Sequence, residues 1–280
     1  MGDIFPSHLA HWLANRMNLS CFINCLWDKT PAYNITIALV GSIASKVINE
    51  PNRILLGVGT ISKNALIVYG PKKLRNSVKV MGVRGPQTRD AFLLKYGVNP
   101  EVVGDPGLYV YELFKDQVKN ARSNASQLKE LCFLSHEVEG KEFKNIFPEF
   151  QDVTINARGN LQDIIVSISQ CKHVVSSSLH GAVFSHALSI PVMVIKVSNK
   201  IAGGDWKYFD YYYGINVTAF LGRFEVNTVN RPKTKQEWIN KIKEFPQPSF
   251  PFDTQSLTIF KRFQSIFNPP TILWVSECSK

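Results

Sequence analysis

A strand, turn, helix and strand pattern over residues 173–197 constrains this chain more than any other feature. An apolar, β-branched run leads into the polar turn 176–181, residues 182–188 have helical composition, and a second apolar run spans 192–197. This order predicts a βαβ unit. Open α/β sheets bind ligands beyond the carboxyl ends of their strands. The pattern therefore places His180 at a ligand site, where the N–H groups that begin a helix favour an anion.

His180 has two interpretations on position alone. It is either a catalytic or ligand-binding histidine, or a hydrogen-bonded structural residue in a Ser-rich turn whose serines cap the helix. A G-x-S-x-G elbow is absent from the turn, so a serine hydrolase is disfavoured.

The composition favours a folded protein with an anionic partner. The chain has 280 residues, 45% of them hydrophobic, which is ample for a buried core. Its formal charge of +10 favours phosphorylated small molecules, acidic polysaccharide or the inner face of a membrane. No basic helix, zinc-ligand pattern or RNP-like strand accompanies this charge, so we expect no nucleic-acid partner.

Cysteine usage and hydropathy indicate the compartment. The five cysteines include no CxxC pair, which predicts reduced, mostly buried thiols and no zinc site, with Cys21 and Cys25 placed on one side of a helix. No apolar run reaches the roughly 20 residues of a membrane span, and the amino terminus lacks a secretion signal. We expect a cytoplasmic protein.

The βα alternation of residues 173–197 recurs along most of the chain. It predicts two Rossmann-like domains facing each other across a cleft, with a polar joint between them. We place an amino-terminal domain at 1–115, a second domain carrying the serine turn at 116–230, and a helical extension at 231–280 whose last helix crosses back to the first domain. Further predicted elements are helices at Met1–Asn18, Ile37–Ile48, Lys233–Phe245 and Thr254–Phe267 and a strand at Ala65–Tyr69.

A second turn repeats the pattern around Arg84. Arg84 follows a predicted strand at its carboxyl end, and Gln87 or Thr88 is available to cap the next helix. Arginine grips a carboxylate or phosphate with two hydrogen bonds. The alternative is a surface arginine paired with Asp90 or Glu101.

Two separated blocks carry a family resemblance. The first is Ser-Ser-Leu-His-Gly at 177–181 with Ile190-Pro191 and the run 207–212; the second is 83–89 with Gly-Asp-Pro-Gly-Leu at 104–108. Together they resemble the polysaccharide pyruvyl transferase family. The resemblance implies a two-domain arrangement similar to the glycosyltransferase-B fold.

That resemblance implies a reaction. The pyruvyl group of phosphoenolpyruvate would pass to two hydroxyls of one sugar in a bacterial surface glycan (exopolysaccharide or capsule) or its lipid-linked precursor, giving a cyclic ketal and phosphate. His180 is the expected general acid/base and Arg84 the donor-binding, charge-stabilising residue. No cofactor or metal is expected, and peripheral contact with the inner membrane surface is a possible partner interaction.

The expected binding residues fall into two sets. Many family members have arginine where this chain has Ser178. Either Lys196, Lys200 or Lys207 supplies the missing cation, or the acceptor differs. Asp105 either orients a ligand or tightens its turn, and the aromatic run either stacks on sugar rings or packs between domains. The expected donor contacts are Ser177, Ser178, Leu179, Gly181, Lys196 and Lys207, and the expected acceptor contacts are Asp105, Asp210, Tyr208, Tyr211 and Trp206.

Two other functions remain open on the sequence. A nucleotide-sugar-dependent glycosyltransferase shares this two-domain architecture, because fold does not fix function. A non-catalytic protein that binds glycan or a membrane surface explains the aromatic residues and the charge without using His180.

Overall fold

The computed structural model describes residues 21–24, 36–39, 41–250 and 273–276. The predicted helices at 1–18 and 254–267 lie outside these residues. The described residues divide by their contacts into two compact units. We call residues 107–208 and 217–250 the histidine unit, and the remainder the arginine unit.

The arginine unit is built on a parallel six-stranded sheet. Its order is β1-β11-β2-β3-β4-β5, so the end of the chain forms a strand between β1 and β2. The strands are β1 Cys21–Asn24, β2 Thr36–Ala38, β3 Arg53–Val58, β4 Val78–Val83, β5 Val102–Val103 and β11 Leu273–Ser276. Its helices are α1 Ala44–Val47, α2 Ala65–Tyr69 and α3 Pro86–Tyr96. Every residue of β3 is buried, as expected for a central parallel strand.

The histidine unit contains a parallel five-stranded sheet of order β10-β9-β8-β6-β7. The strands are β6 Cys132–Leu134, β7 Thr154–Ile155, β8 Val174–Ser176, β9 Val192–Lys196 and β10 Phe224–Glu225. The helices are α4 Val110–Leu113, α5 Lys115–Asn124, α6 Gly140–Ile146, α7 Leu161–Ser169, α8 Leu179–Ala187 and α10 Lys235–Glu244. A further helix, α9 Trp206–Gly214, has its first three residues in this unit. The chain leaves β6 for β7 on one side and returns to β8 on the other, which makes the β6–β8 gap the topological switch point.

An aromatic cluster fills the core of the histidine unit. Phe133 of β6 stacks on Phe150 at 4.7 Å between ring centroids and meets Trp238 of α10 edge to face at 5.6 Å. Each fully buried ring of this kind stabilises the fold by roughly 1.5–3 kcal/mol. A capping box between Thr234 and Glu237 begins α10, which confirms the helix predicted at 233–245.

Two predicted elements of the arginine unit are wrong. Residues Ala65–Tyr69 form helix α2 and not a strand, and β3 pairs directly with β2 and β4. The helix predicted at 37–48 is strand β2 followed by the short helix α1. Between them Gly41 has φ of 107°, which a continuous right-handed helix does not allow.

The prediction for the cysteines is also wrong. Cys132 and Cys171 form a disulfide and both are buried. Although 39 positions apart, Cys132 begins β6 and Cys171 precedes β8, and these strands are hydrogen-bonded neighbours. Cys21 lies in strand β1, not in a helix.

The parallel sheets with their connecting helices confirm the α/β, Rossmann-like fold class. The cleft between two domains, the glycosyltransferase-B-like arrangement and the boundaries at 115 and 230 stay predictions. Among the described residues, no helix combines the length and apolar character needed to cross a membrane.

Candidate functional site

The serine turn is fixed by hydrogen bonds to its own backbone and to β6. The Ser176 hydroxyl donates to the Leu134 carbonyl at 3.0 Å and accepts from the Ser178 amide at 3.0 Å. Ser178 is the N-cap of α8, with no hydrogen bond from its side chain to the helix. The turn thus leads directly from strand β8 into the first turn of α8, which carries His180.

Gly181 allows this turn to lie close to the sheet. A Cβ atom at this position would overlap the Ser176 hydroxyl and approach Leu134 Cδ2 to 2.8 Å. The glycine is therefore required for space and not for backbone conformation. The Leu-His-Gly sequence at 179–181 presents the histidine from a helix packed tightly on its own strand.

Two residues from other elements hold Ser177. The backbone N–H of His136, two positions after β6, donates to Ser177 Oγ at 2.8 Å. The hydroxyl of Tyr208, in α9, donates to the Ser177 carbonyl at 2.6 Å. The loops after β6 and β8 therefore meet at the switch point, where α/β sheets of this type bind ligands.

The switch point is electropositive. Burial, reinforced by the positive charges of Lys207 and Arg223, lowers the pKa of His136 to about 4. The imidazole of His136 is therefore neutral beside these cations near pH 7. His180 itself is half-buried, with its ring 5.8 Å from that of Phe184.

A cavity of about 840 Å³ opens beside the loop that follows β6. Ser135, which precedes His136, lines it together with residues from α6 and from the loop after β7. Lys141, Lys144 and Arg158 give its wall positive charge, although Glu137 also lines it and pairs with Arg158 at 3.6 Å. The lining also has apolar residues, Val138, Phe143 and Ile155. A volume of this size suits a small-molecule or sugar ligand.

Arg84 forms the second candidate cluster, within the arginine unit. Its side chain is 1% exposed and every guanidinium nitrogen has a partner. Nε and Nη2 contact Asp210 Oδ2 at 3.1 and 3.0 Å, Nη1 donates to Ser42 Oγ, and Nη2 donates to the Thr60 carbonyl. The surface pairing of Arg84 with Asp90 or Glu101 is excluded, since Asp90 pairs with Arg89.

Asp210 also occupies the amino end of α3. It accepts hydrogen bonds from the Thr88 amide at 2.9 Å and from the Thr88 hydroxyl at 2.7 Å. The predicted cap by Gln87 or Thr88 is wrong, because the N-cap is Gly85 and the anion comes from Asp210, far along the chain. A Cβ at Gly85 would overlap the Asp210 backbone, so the glycine of the Arg84-Gly85 block permits this contact.

The other predicted site residues are placed as follows. Leu179 and Asp105 are buried, Trp206 is half-buried, and Lys196 pairs with Glu225 at 3.2 Å. The Nζ atom of Lys207 lies 5.6 Å from the centre of the Tyr208 ring. The rings of Tyr208 and Tyr211 are fully buried, which agrees with packing and leaves no face for a sugar in this conformation.

The structure brings most of the predicted donor contacts together in one turn, and it places four of the five predicted acceptor contacts, Trp206, Tyr208, Asp210 and Tyr211, in helix α9. Ser177, Ser178, Leu179, Gly181 and His180 share one turn. Asp105, Asp210 and Tyr211 belong to the arginine unit, whereas Tyr208 belongs to the histidine unit.

Sequence reasoning missed His136 and Arg223. His136 follows a predicted strand, as the serine turn does, so the same rule identifies it. Arg223 precedes a two-residue strand and carries no recognisable local signal.

These features define an α/β protein with a histidine-bearing candidate site at the switch point of a parallel sheet. The model of the polysaccharide pyruvyl transferase family matches residues 12–199, which is more than half of the chain. The chain therefore belongs to this family, and membership indicates a pyruvyltransferase that acts on polysaccharide.

Two relatives extend the comparison. An uncharacterized protein of Acanthamoeba polyphaga mimivirus is 29% identical over 215 residues, covering 75% of this chain and 69% of the relative. The succinoglycan biosynthesis protein ExoV of Rhizobium meliloti is 26% identical over 199 residues, covering 64% of this chain and 58% of ExoV. The chain thus spans less than two thirds of the length of ExoV.

Proposed function

We propose that the protein transfers the pyruvyl group of phosphoenolpyruvate to two hydroxyls of one sugar, in a surface glycan or its lipid-linked precursor. Protonation of the donor's methylene carbon makes its neighbouring carbon electrophilic. One sugar hydroxyl adds to that carbon, phosphate leaves, and the second hydroxyl closes the cyclic ketal. The reaction consumes one phosphoenolpyruvate per acceptor and needs neither oxidant nor cofactor.

The observation that carries this proposal is the position of His180. It lies half-buried in the first turn of α8, beyond the carboxyl end of β8 and beside the switch point. An imidazole titrates near neutrality, so it can protonate the methylene carbon and accept a hydroxyl proton. We assign this general acid/base role to His180.

The donor's negative charges fit the surroundings of the turn. Ser177, Ser178 and the backbone of Leu179 and Gly181 are the proposed contacts at the amino end of α8, where N–H groups favour an anion. Lys196 and Lys207 add positive charge. Arg84 stays a proposed donor ligand, and binding would require its guanidinium to exchange the Ser42 or Thr60 contact for the donor.

The cavity beside Ser135 is the proposed location of the acceptor. It begins next to the loop that holds Ser177, and its cationic and apolar walls suit a sugar linked to a phosphate-bearing carrier. Asp105, Asp210, Tyr208, Tyr211 and Trp206 remain proposed acceptor contacts that would have to become accessible on binding. The net charge of +10 supports peripheral attachment at the inner membrane surface of a cytoplasmic enzyme.

The choice of donor tests this proposal. A ligand that binds the native state raises the melting temperature. We expect phosphoenolpyruvate to do so and uridine or guanosine nucleotide sugars not to. After incubation with a sugar acceptor, a pyruvate methyl signal in the product would identify the ketal. Stabilisation by a nucleotide sugar alone would favour the glycosyltransferase alternative.

A further inference from the structure

A second, smaller cavity lies in the histidine unit at the end of β9. Its volume is about 330 Å³, and Lys196, Gly203, Gly204, Asp205 and Arg223 are among its lining residues. This volume lies at the lower end of the range for small-molecule sites. The two glycines place backbone without side chains along its wall.

Arg223 lines this cavity and has a hydrogen-bond donor without a partner. Its side chain is 2% exposed, and Nε donates to Asp205 Oδ1. Among the described residues, however, Nη1 is buried without a hydrogen-bond partner. Leaving a charged donor unsatisfied is costly, so native proteins seldom do so without a ligand or a function. An oxyanion is the group that a guanidinium N–H binds best.

Arg223 is connected to the serine turn through one aromatic ring. Its guanidinium carbon lies 4.7 Å from the centre of the Tyr208 ring, and the Tyr208 hydroxyl donates to the Ser177 carbonyl at 2.6 Å. A cation over the face of a tyrosine is attracted by the ring. One tyrosine side chain therefore separates Arg223, which lines the small cavity, from the turn that presents His180.

Lys196 contributes a second cation to the cavity. It forms an ion pair with Glu225 at 3.2 Å, and the lysine side chain is 27% exposed. Glu225 is the more exposed partner at 72%, so this pair is weak and the ammonium group can accept a stronger anion. The lining of the cavity thus includes two cationic side chains, Lys196 and Arg223, and one carboxylate, Asp205, which already pairs with Arg223.

We propose that Arg223 and Lys196 form a subsite for the phosphate group of the donor. Arg223 supplies the cation expected beside the histidine turn, where this chain has Ser178. The phosphate rests on the free Nη1 donor and on Lys196, while the pyruvyl carbons extend towards His180. This assignment builds on the proposed pyruvyl transfer, but the subsite itself requires only a small phosphate ligand.

Binding measurements with two probes test the subsite. We expect Arg223→Gln to weaken the binding of both inorganic phosphate and phosphoenolpyruvate about 10- to 100-fold, because a charge-assisted hydrogen bond is lost. Arg89→Gln is the matched control, since Arg89 is exposed and pairs with Asp90 in the other unit. Calorimetric titration of each variant measures the affinities.

A second variant keeps the test decisive if Arg223→Gln fails to fold. Lys196→Gln changes a partly exposed side chain, and we expect it to weaken both probes about 3- to 30-fold. If Arg223→Gln folds and binds both probes as tightly as wild type, the subsite is wrong. If Arg223→Gln does not fold, unchanged affinity of Lys196→Gln for both probes would overturn the subsite.

The two probes also separate this inference from the proposed function. If phosphoenolpyruvate binds equally well to wild type and Arg223→Gln, the subsite is wrong and the proposed donor stands. If inorganic phosphate binds in an Arg223-dependent manner while phosphoenolpyruvate does not bind, the subsite stands and the proposed donor is wrong.

Discussion

Asp210 lies 3.0 Å from the guanidinium of Arg84, with the two side chains 0% and 1% exposed, although 126 positions separate them. The carboxylate also accepts two hydrogen bonds from Thr88 at the start of α3. One buried aspartate thereby joins α9, the end of β4 and the start of α3 within the arginine unit. A buried guanidinium depends on such a partner, because its desolvation is otherwise uncompensated.

We therefore predict that Asp210→Ala destabilises the protein strongly. The change leaves Arg84 buried without its counter-ion and two Thr88 donors without an acceptor. The expected loss in the free energy of unfolding is about 3–5 kcal/mol. Urea unfolding followed by circular dichroism measures it.

The control for this prediction is Asp90→Ala. Asp90 pairs with Arg89 at 3.0 Å, but both side chains are at least 40% exposed, so we expect a change within about 1 kcal/mol. Equal effects of the two substitutions would show that the buried pair has no special structural role.

Gly181→Ala tests the close packing of the serine turn. A Cβ there would overlap the Ser176 hydroxyl, so α8 must move away from β8 and carry His180 with it. We expect a destabilisation of about 1–3 kcal/mol and reduced activity even where the variant is folded. Gly104→Ala is the control, because a Cβ at Gly104 meets no atom within 4 Å. An unaffected Gly181→Ala protein would contradict the described turn.

The buried His186 should make the protein sensitive to acid. Burial lowers its pKa to about 3, and the interaction with Gln247 only partly opposes that shift. The unfolded chain binds a proton near pH 6.5 and the folded protein does not until about pH 3, so stability falls as the pH drops through this window.

The expected slope from His186 is about 1.4 kcal/mol per pH unit. His136, whose pKa is also lowered to about 4, should add to it over the upper part of the window. Urea unfolding of wild type and His186→Gln between pH 7 and pH 4 isolates the first contribution. The same slope in both proteins would contradict the assignment to His186.

The Cys132–Cys171 disulfide gives a further prediction. It closes a loop with a sequence separation of 39, for which the expected stabilisation is about 3–4 kcal/mol. A non-reduced proteolytic digest should contain the two joined peptides, and a Cys132→Ala, Cys171→Ala variant should unfold at lower urea concentration. Alkylation of both cysteines in protein denatured without reductant would show that the bond does not form.

The part of the fold that local patterns determine could be predicted from the sequence. The Ser-Ser-Leu-His-Gly turn lies between a strand and a helix, as its apolar runs and small residues indicate. Ala65–Tyr69 shows the limit of that approach, since this apolar run forms a helix and the sheet continues directly from β3 to β4 without it.

The residues that contact the candidate site residues could not be predicted from the sequence. The contact of Arg84 with Asp210 spans 126 positions, and the contact of Tyr208 with Ser177 spans 31. Residue types and spacing identify candidates, but only the folded chain decides which buried polar groups meet. The same holds for Arg223, whose unused donor becomes visible only when its neighbours are known.

The most direct test of the account is the rate of acceptor-dependent phosphate release from phosphoenolpyruvate by wild type and His180→Ala. The panel includes galactose-, glucose- and mannose-type acceptors, free and lipid-linked. We predict release by wild type and a fall on the order of 100-fold or more in the variant. His173→Ala, at a half-buried histidine bonded to the Glu130 carbonyl, should keep the wild-type rate. A His180→Ala protein as active as wild type would contradict the central role of His180.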